Sequence, residues 1–133
     1  MIVNKKTEEI LATAFCMGSK HDFQLFSEWM QAKGSRSIIA ITTCTLADTG
    51  YQGLSKTHEN SHTPAKKTKL HPLTKAQKAS NRALSRQRIR VENVICRLKV
   101  FRILSERYRN RRKRFAIRFN LIAAICNLEL KKA

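Results

Sequence analysis

Two carboxylates, Asp48 and Glu92, stand where the surrounding residues give them chemistry to do. Glu92 lies in RQRIRVENVICRLK, within a stretch from Lys75 to Arg118 that holds sixteen Lys or Arg and only two carboxylates, Glu92 and Glu106. A surface this basic attracts phosphate, and a negative charge inside it opposes that attraction. One reading is a helical ion pair with Arg88, which contributes only about 0.3–0.5 kcal/mol. The other is a divalent cation held beside the phosphates. Asp48 closes SIIAITTCTLAD, and sites in open α/β sheets collect at the C-terminal ends of strands. An Asp at that place equally caps a turn at Gly50 or Tyr51. Taken together, the pair suits metal-assisted phosphodiester chemistry. Mg²⁺ (or Mn²⁺) takes carboxylate and phosphate oxygens and keeps several waters, so one or two carboxylates per ion suffice. Two such ions about 3.5–4 Å apart activate the attacking oxygen and stabilise the leaving one. The neighbouring cations keep Glu92 ionised, as a ligand must be.

Other candidates are weaker. His58 and His62, with Cys44, have the residue types for zinc, but the segment is polar and holds no second nearby Cys, so it reads as a solvated loop. His21 and Asp22 adjoin each other before a helical pattern, where capping is the plain role and assistance to a catalytic site the alternative. Arg88 and Lys99 flank Glu92 at helical spacing. With Tyr51 and the RNRRKR run (Arg109, Arg111, Arg112, Lys113, Arg114), they are the groups expected on DNA backbone phosphates.

The elements that must position these residues follow from pattern. Residues 1–4 and 9–17 favour a hairpin across the turn at 7–9. Asp22 caps a helix reaching about Ala32, with Phe23, Phe26 and Met30 on its core face and Trp29 beside them. The β-branched run 37–48 predicts a strand buried on both faces. Residues 55–72, polar and containing both prolines, predict a surface loop. Thr74 caps a long helix whose apolar stripe is Leu84, Val91, Ile95, Leu98 and Phe101. A break near 109–112 precedes a last helix with Phe115, Phe119, Ile122, Ile125 and Leu128 at helical spacing. Strands first and long helices last give an α/β or α+β layer.

At 133 residues the chain fits one small domain. Its net charge of +18 lies wholly in residues 65–133, which hold twenty-one basic and three acidic side chains. Such asymmetry implies a polyanionic partner, nucleic acid first and a membrane surface second. No apolar run reaches the roughly 18 residues that span a bilayer, which sets the membrane aside. Cys16, Cys44, Cys96 and Cys126 stand far apart among apolar neighbours and read as reduced core residues.

The strings TAFCMGSKHDFQLF, LADTGYQGL, HPLTKAQKASNRALSRQRIRVENVICRLKVFRILSERYRNRRKRF and RFNLIAAICNLEL together make the chain resemble a bacterial insertion-sequence transposase of the DDE superfamily, over nearly its whole length and in order. The resemblance implies a ribonuclease-H-like α/β fold in which two Asp and one Glu hold two Mg²⁺ (or Mn²⁺). The second family Asp falls on Asp48 and the Glu on Glu92, while an HDF motif falls on His21, Asp22 and Phe23, with a helping role at most for His21. The first family Asp has no match, and Glu8, Glu9 and Asp22 stand in the wrong context to replace it. Thr49 and Ala116 occupy places where the family more often has Ser and Gly. Residues 1–133 are therefore expected to be the C-terminal portion of a single catalytic domain, truncated at the N-terminus and inactive in DNA cleavage alone. The implied partners are double-stranded DNA, as transposon ends and target, with no membrane. They extend to a missing N-terminal half from another reading frame and to further copies of the chain. The implied location is the bacterial cytoplasm. The alternative from a different class is a non-catalytic basic nucleic-acid-binding protein, with Glu92 merely salt-bridged.

Overall fold

The computed structural model describes all residues except 17, 19, 33–38, 41, 70–71, 110–111 and 133. It is a mixed α/β structure of few, short strands and longer helices, and it divides into two compact units. One unit comprises Met1–Phe15 and Ile89–Ala133, and the other Cys16–Arg88.

The first unit opens with the expected hairpin, β1 (Ile2–Val3) antiparallel to β2 (Ile10–Ala12), paired Ile2 to Ala12 and Val3 to Ile10. Its turn is held by Asn4, whose side-chain oxygen accepts the amides of Lys6 and Thr7. Glu8 takes a positive φ of 60°, uncommon for a residue with a Cβ. Helix α3 (Lys75–Lys99) contributes Val94 and Leu98 to a core completed by Ile10, Ile122, Ala123 and Cys126. Past Lys99 the chain turns tightly, Val100 stays exposed, and Phe101 folds back against that core before the short α4 (Arg102–Ser105). The helix therefore breaks first at residues 100–101, ahead of the expected break near 109–112, whose centre (110–111) lies outside the described residues.

The last helix, α5 (Phe115–Leu130), exists as expected but presents a different face. Ile122, Ala123 and Cys126 are buried, whereas Ile125 and Leu128 are exposed. Asn127 fixes this rotation: its carbonyl oxygen accepts from the Ile10 amide and its NH₂ donates to the Ile10 carbonyl, both at 2.9 Å. These two bonds satisfy the edge of β2, whose buried backbone groups would otherwise lack partners. On α3 the stripe is centred on Val94 and Leu98, with Leu84, Val91, Ile95 and Phe101 only partly buried.

In the second unit, α1 spans Asp22–Ala32. Asp22 is its first residue, and the His21 ring accepts the Phe23 amide at 3.3 Å, so His21 performs the capping expected of Asp22. Phe23 and Phe26 pack edge-on against Tyr51, and Met30 is buried. The strand predicted across 37–48 is reduced among the described residues to β3 (Thr45–Leu46), partly buried rather than covered on both faces. It pairs in parallel with the equally short β4 (Ser61–His62), and a two-residue ladder cannot cover two faces. Residues 55–72 correspondingly depart from a plain surface loop. Gly53, with φ 96°, starts the short α2 (Leu54–Thr57), whose Leu54 is 1% exposed. His58 is buried and its Nε2 lies 2.7 Å from the Thr43 carbonyl.

Helix α3 starts where predicted. Thr74 Oγ1 accepts the Gln77 amide while the Gln77 side chain accepts the Thr74 amide, a reciprocal capping box. Asn81, one turn further, bonds both the amide and the carbonyl of Ala65. The cysteines correct the expectation of a shared core role. Cys126 alone is buried, with its thiol pushed up by burial, while Cys16, Cys44 and Cys96 are exposed.

Candidate active site

Asp48 leaves the end of β3 and caps a 3-10 turn at Thr49–Tyr51. Its Oδ1 accepts the Thr49 amide at 2.6 Å and the Thr49 hydroxyl at 3.1 Å. Arg88 Nη1, from α3, donates to the same oxygen at 3.2 Å. The turn-capping role is thus real, and it uses one carboxylate oxygen. Among the described residues every hydrogen bond to this side chain goes to Oδ1, and the side chain is 53% exposed, leaving Oδ2 open to solvent. The Thr49 amide, joined by the Arg88 guanidinium and the Thr49 hydroxyl, holds Asp48 below its ordinary value against the opposing effect of burial. A carboxylate fixed by one oxygen, ionised and open at the other, has the form of a monodentate ligand for a hard cation.

The pH consequence follows in sign. With its folded value lowered, Asp48 contributes stability that is full above its ordinary value of 3.8 and is lost as pH falls through the lowered one. Replacing Arg88 with Gln should raise the Asp48 pKa, with the Thr49 amide still holding it below the ordinary value. Carboxyl-carbon NMR titration reads this directly, and an unchanged value would remove Arg88 from the site.

Arg88 settles one alternative for Glu92. The ion pair that would have neutralised Glu92 is made to Asp48 instead. Glu92 is exposed on α3, and among the described residues no ion pair or hydrogen bond engages its carboxylate. The other carboxylates near α3 are committed: Glu8 to Arg97 at 2.8 Å and Arg90 at 3.6 Å, and Glu106 to Arg102. Among the described residues no group of three His, Cys, Asp or Glu is gathered for a metal. The donor chemistry fits Mg²⁺ all the same, since Asp48 and Glu92 are hard oxygen donors and one or two carboxylates per ion suffice. Asp48 lies in the Cys16–Arg88 unit and Glu92 in the other.

The remaining candidates fall out as follows. Lys99, Arg109, Arg112, Lys113 and Arg114 are exposed, free to meet phosphate; Arg111 lies outside the described residues. Tyr51 is half-buried between Phe23 and Phe26, and its hydroxyl is pushed up by burial and by the charges of Asp22 and Asp48. His58, His62 and Cys44 form no ligand set, though His58 is buried rather than solvated. Sequence reasoning missed Arg118, which donates to the Tyr108 hydroxyl at 2.6 Å and stands 5.9 Å from that ring's centre. Its position four residues after Arg114 was the available signal. Glu8, weighed and set aside as a replacement for the first family Asp, pairs instead with two arginines more than eighty residues away, which the sequence reading did not foresee. Among the described residues no helix is long and apolar enough to cross a membrane.

Comparison with known proteins identifies the family. A family model described as DDE superfamily endonuclease matches residues 1–128. Over 130 residues the chain is 46% identical to a probable transposase for insertion sequence element IS702 from Microchaete diplosiphon, an alignment covering 98% of this chain and 45% of that protein. The chain therefore spans less than half the length of this curated relative. No solved structure matches.

Proposed function

The chain belongs to the DDE superfamily endonucleases, and from that premise we propose that it is the part of an insertion-sequence transposase that offers Asp48 and Glu92 to the divalent cations of a two-metal site during DNA strand cleavage and transfer. Endonucleases of this superfamily are metal dependent. The observation that carries the reading is the Asp48 carboxylate, held below its ordinary pKa, half-exposed and, among the described residues, bound through one oxygen. The family frame is a ribonuclease-H-like fold in which two Asp and one Glu hold divalent cations, and β3 and α3 lead to and carry the residues that match the second Asp and the Glu.

Bound Mg²⁺ would supply Lewis-acid stabilisation of the phosphate oxygens at which charge develops. The protein's own residues do the rest. Thr49 and Arg88 fix the rotamer of Asp48, so that its open oxygen needs no reordering to bind. Lys99, Arg109, Arg112, Lys113 and Arg114 hold the duplex through its phosphates, which positions it without reading its sequence. The duplexes proposed are transposon ends and target DNA. Because this chain supplies two carboxylates that match the family's set, cleavage is assigned to the complete protein and not to these residues acting alone.

A test separates this reading from a non-catalytic basic binder. Adding Mg²⁺ or Mn²⁺ should tighten duplex binding by the wild-type chain, because the cation joins carboxylate to phosphate, and should fail to do so in Glu92→Gln. A plain binder shows only the weakening that added salt brings. Equal responses of the two proteins would overturn the proposal.

A further inference from the structure

The N-terminal half of α3 carries a second basic feature, separate from the cations assigned above. Lys75, Lys78, Arg82 and Arg86 recur at spacings of three and four, and at 3.6 residues per turn they fall within about 80° of the helix circumference. All four are exposed, and none enters an ion pair among the described residues. Arg88, Arg90, Arg97 and Arg102, further along the chain, are each engaged by a carboxylate. Beside the row lie Ala79 and Ala83, and the six residues line a shallow open groove of about 520 Å³.

This pattern works against the helix that bears it. Like charges at three and four residues repel. The first turn has no acidic residue and carries Lys75 and Lys78, the wrong sign for a helix N-terminus. A face meant only for solvent would interleave carboxylates with the cations. The arrangement is offset when polyanion phosphates lie along the row. Its four cations span about 16 Å at 1.5 Å per residue. Duplex DNA offers one phosphate per about 3.4 Å of axis on each strand, so several lie within that span. The two alanines leave the row's flank low, so a sugar-phosphate strand can lie close against the helix.

Building on the DNA-binding part of the function proposed above, we propose that Lys75, Lys78, Arg82 and Arg86 form a track for one strand of a DNA duplex, with the backbone seated beside Ala79 and Ala83. The track grips phosphates and carries no sequence preference.

The test is the salt dependence of binding to a random-sequence duplex, measured by fluorescence anisotropy in EDTA between 50 and 200 mM salt. Each phosphate neutralised contributes about 0.9 to the slope of log affinity against log salt. Replacing Lys75, Lys78, Arg82 and Arg86 together with Gln should therefore flatten the slope by about 3 to 4. A control replacing the exposed Lys56, Lys66, Lys67 and Lys69 with Gln should flatten it by less than about 1. A second variant, Ala79→Glu with Ala83→Glu, keeps every cation, improves the charge balance of the helix and should still weaken duplex binding. Circular dichroism confirms that each variant keeps its helices. Equal flattening by the control, or an unchanged slope in the track variant, would overturn the proposal. So would unaltered binding by the Ala79 and Ala83 variant. Because the assay contains no divalent metal, its failure leaves the metal reading of Asp48 and Glu92 standing. Failure of that metal reading, in turn, leaves these slopes unchanged.

Discussion

Asp48→Asn and Glu92→Gln should each lower the affinity of this chain for Mn²⁺ by at least about 100-fold. Loss of a residue that merely orients a ligand costs about 10–100-fold in metal affinity, so loss of a ligand's charge belongs at or beyond the upper end. Both substitutions keep side-chain shape and polarity, and in Asp48→Asn the side-chain amide oxygen can still accept the Thr49 amide that caps the turn. A fall in affinity would therefore report lost charge, with the fold intact. Glu106→Gln is the matched control. It removes a carboxylate from the same basic region, but that carboxylate is already paired with Arg102. Its Mn²⁺ affinity should stay within about twofold of wild type, since an exposed paired carboxylate has little to offer a cation. Manganese titration followed by electron paramagnetic resonance gives all three values. Equal losses in Glu106→Gln and Glu92→Gln would reduce the effect to general electrostatics and contradict the site.

The second large effect is on stability. Leu98 is 4% exposed within the cluster of Ile10, Val94, Ile122, Ala123 and Cys126. Leu98→Ala removes buried methyl groups and leaves a cavity, at a cost of about 2–5 kcal/mol. At about 4 °C per kcal/mol for a domain of this size, its Tm should fall by about 8–20 °C. Leu128→Ala is the informative comparison, because periodicity alone places both leucines in the core. Leu128 is 58% exposed, so its truncation should change stability by about 0.5 kcal/mol or less. Calorimetry on the two variants decides between them. A Leu128→Ala loss as large as that of Leu98→Ala would mean that α5 is rotated from the orientation described.

That rotation shows what a sequence can and cannot display. The starts of α1 and α3 were legible because their signals are local: Asp22 after a break, and Thr74 with Gln77 three residues on. The phase of α5 was not. Ala116, Ile117, Leu121, Ala124 and Cys126 make this helix apolar nearly all round, so several stripes fit equally well. The choice is made by Asn127, whose partner Ile10 lies 117 residues away. The run at 37–48 misled for a related reason. Its β-branched residues announce a strand, but strand length is set by partners, and among the described residues the ladder is Thr45 with Ser61 and Leu46 with His62. His58 likewise looked solvated because its burial rests on the distant carbonyl of Thr43.

The site divides along the same line. Asp48 and Glu92 could be singled out because each is a charge in a setting that argues against it, which is a property of the sequence. That Arg88 serves Asp48, so that Glu92 has no ion-pair partner among the described residues, joins residues forty apart and needed the fold. The role of His21 as the cap of α1 also needed coordinates, since its neighbour Asp22 is the better capping residue by type.

The most direct measurement of the central claim is where a paramagnetic cation sits on this chain. Mn²⁺ added in substoichiometric amounts to ¹⁵N-labelled protein broadens amides close to it. If Asp48 and Glu92 are both metal ligands, the Thr49 and Gly50 amides and those around Glu92 on α3 broaden selectively, and those around Glu92 recover in Glu92→Gln. Broadening that spares either Asp48 or Glu92, or that survives Glu92→Gln unchanged, would contradict the claim.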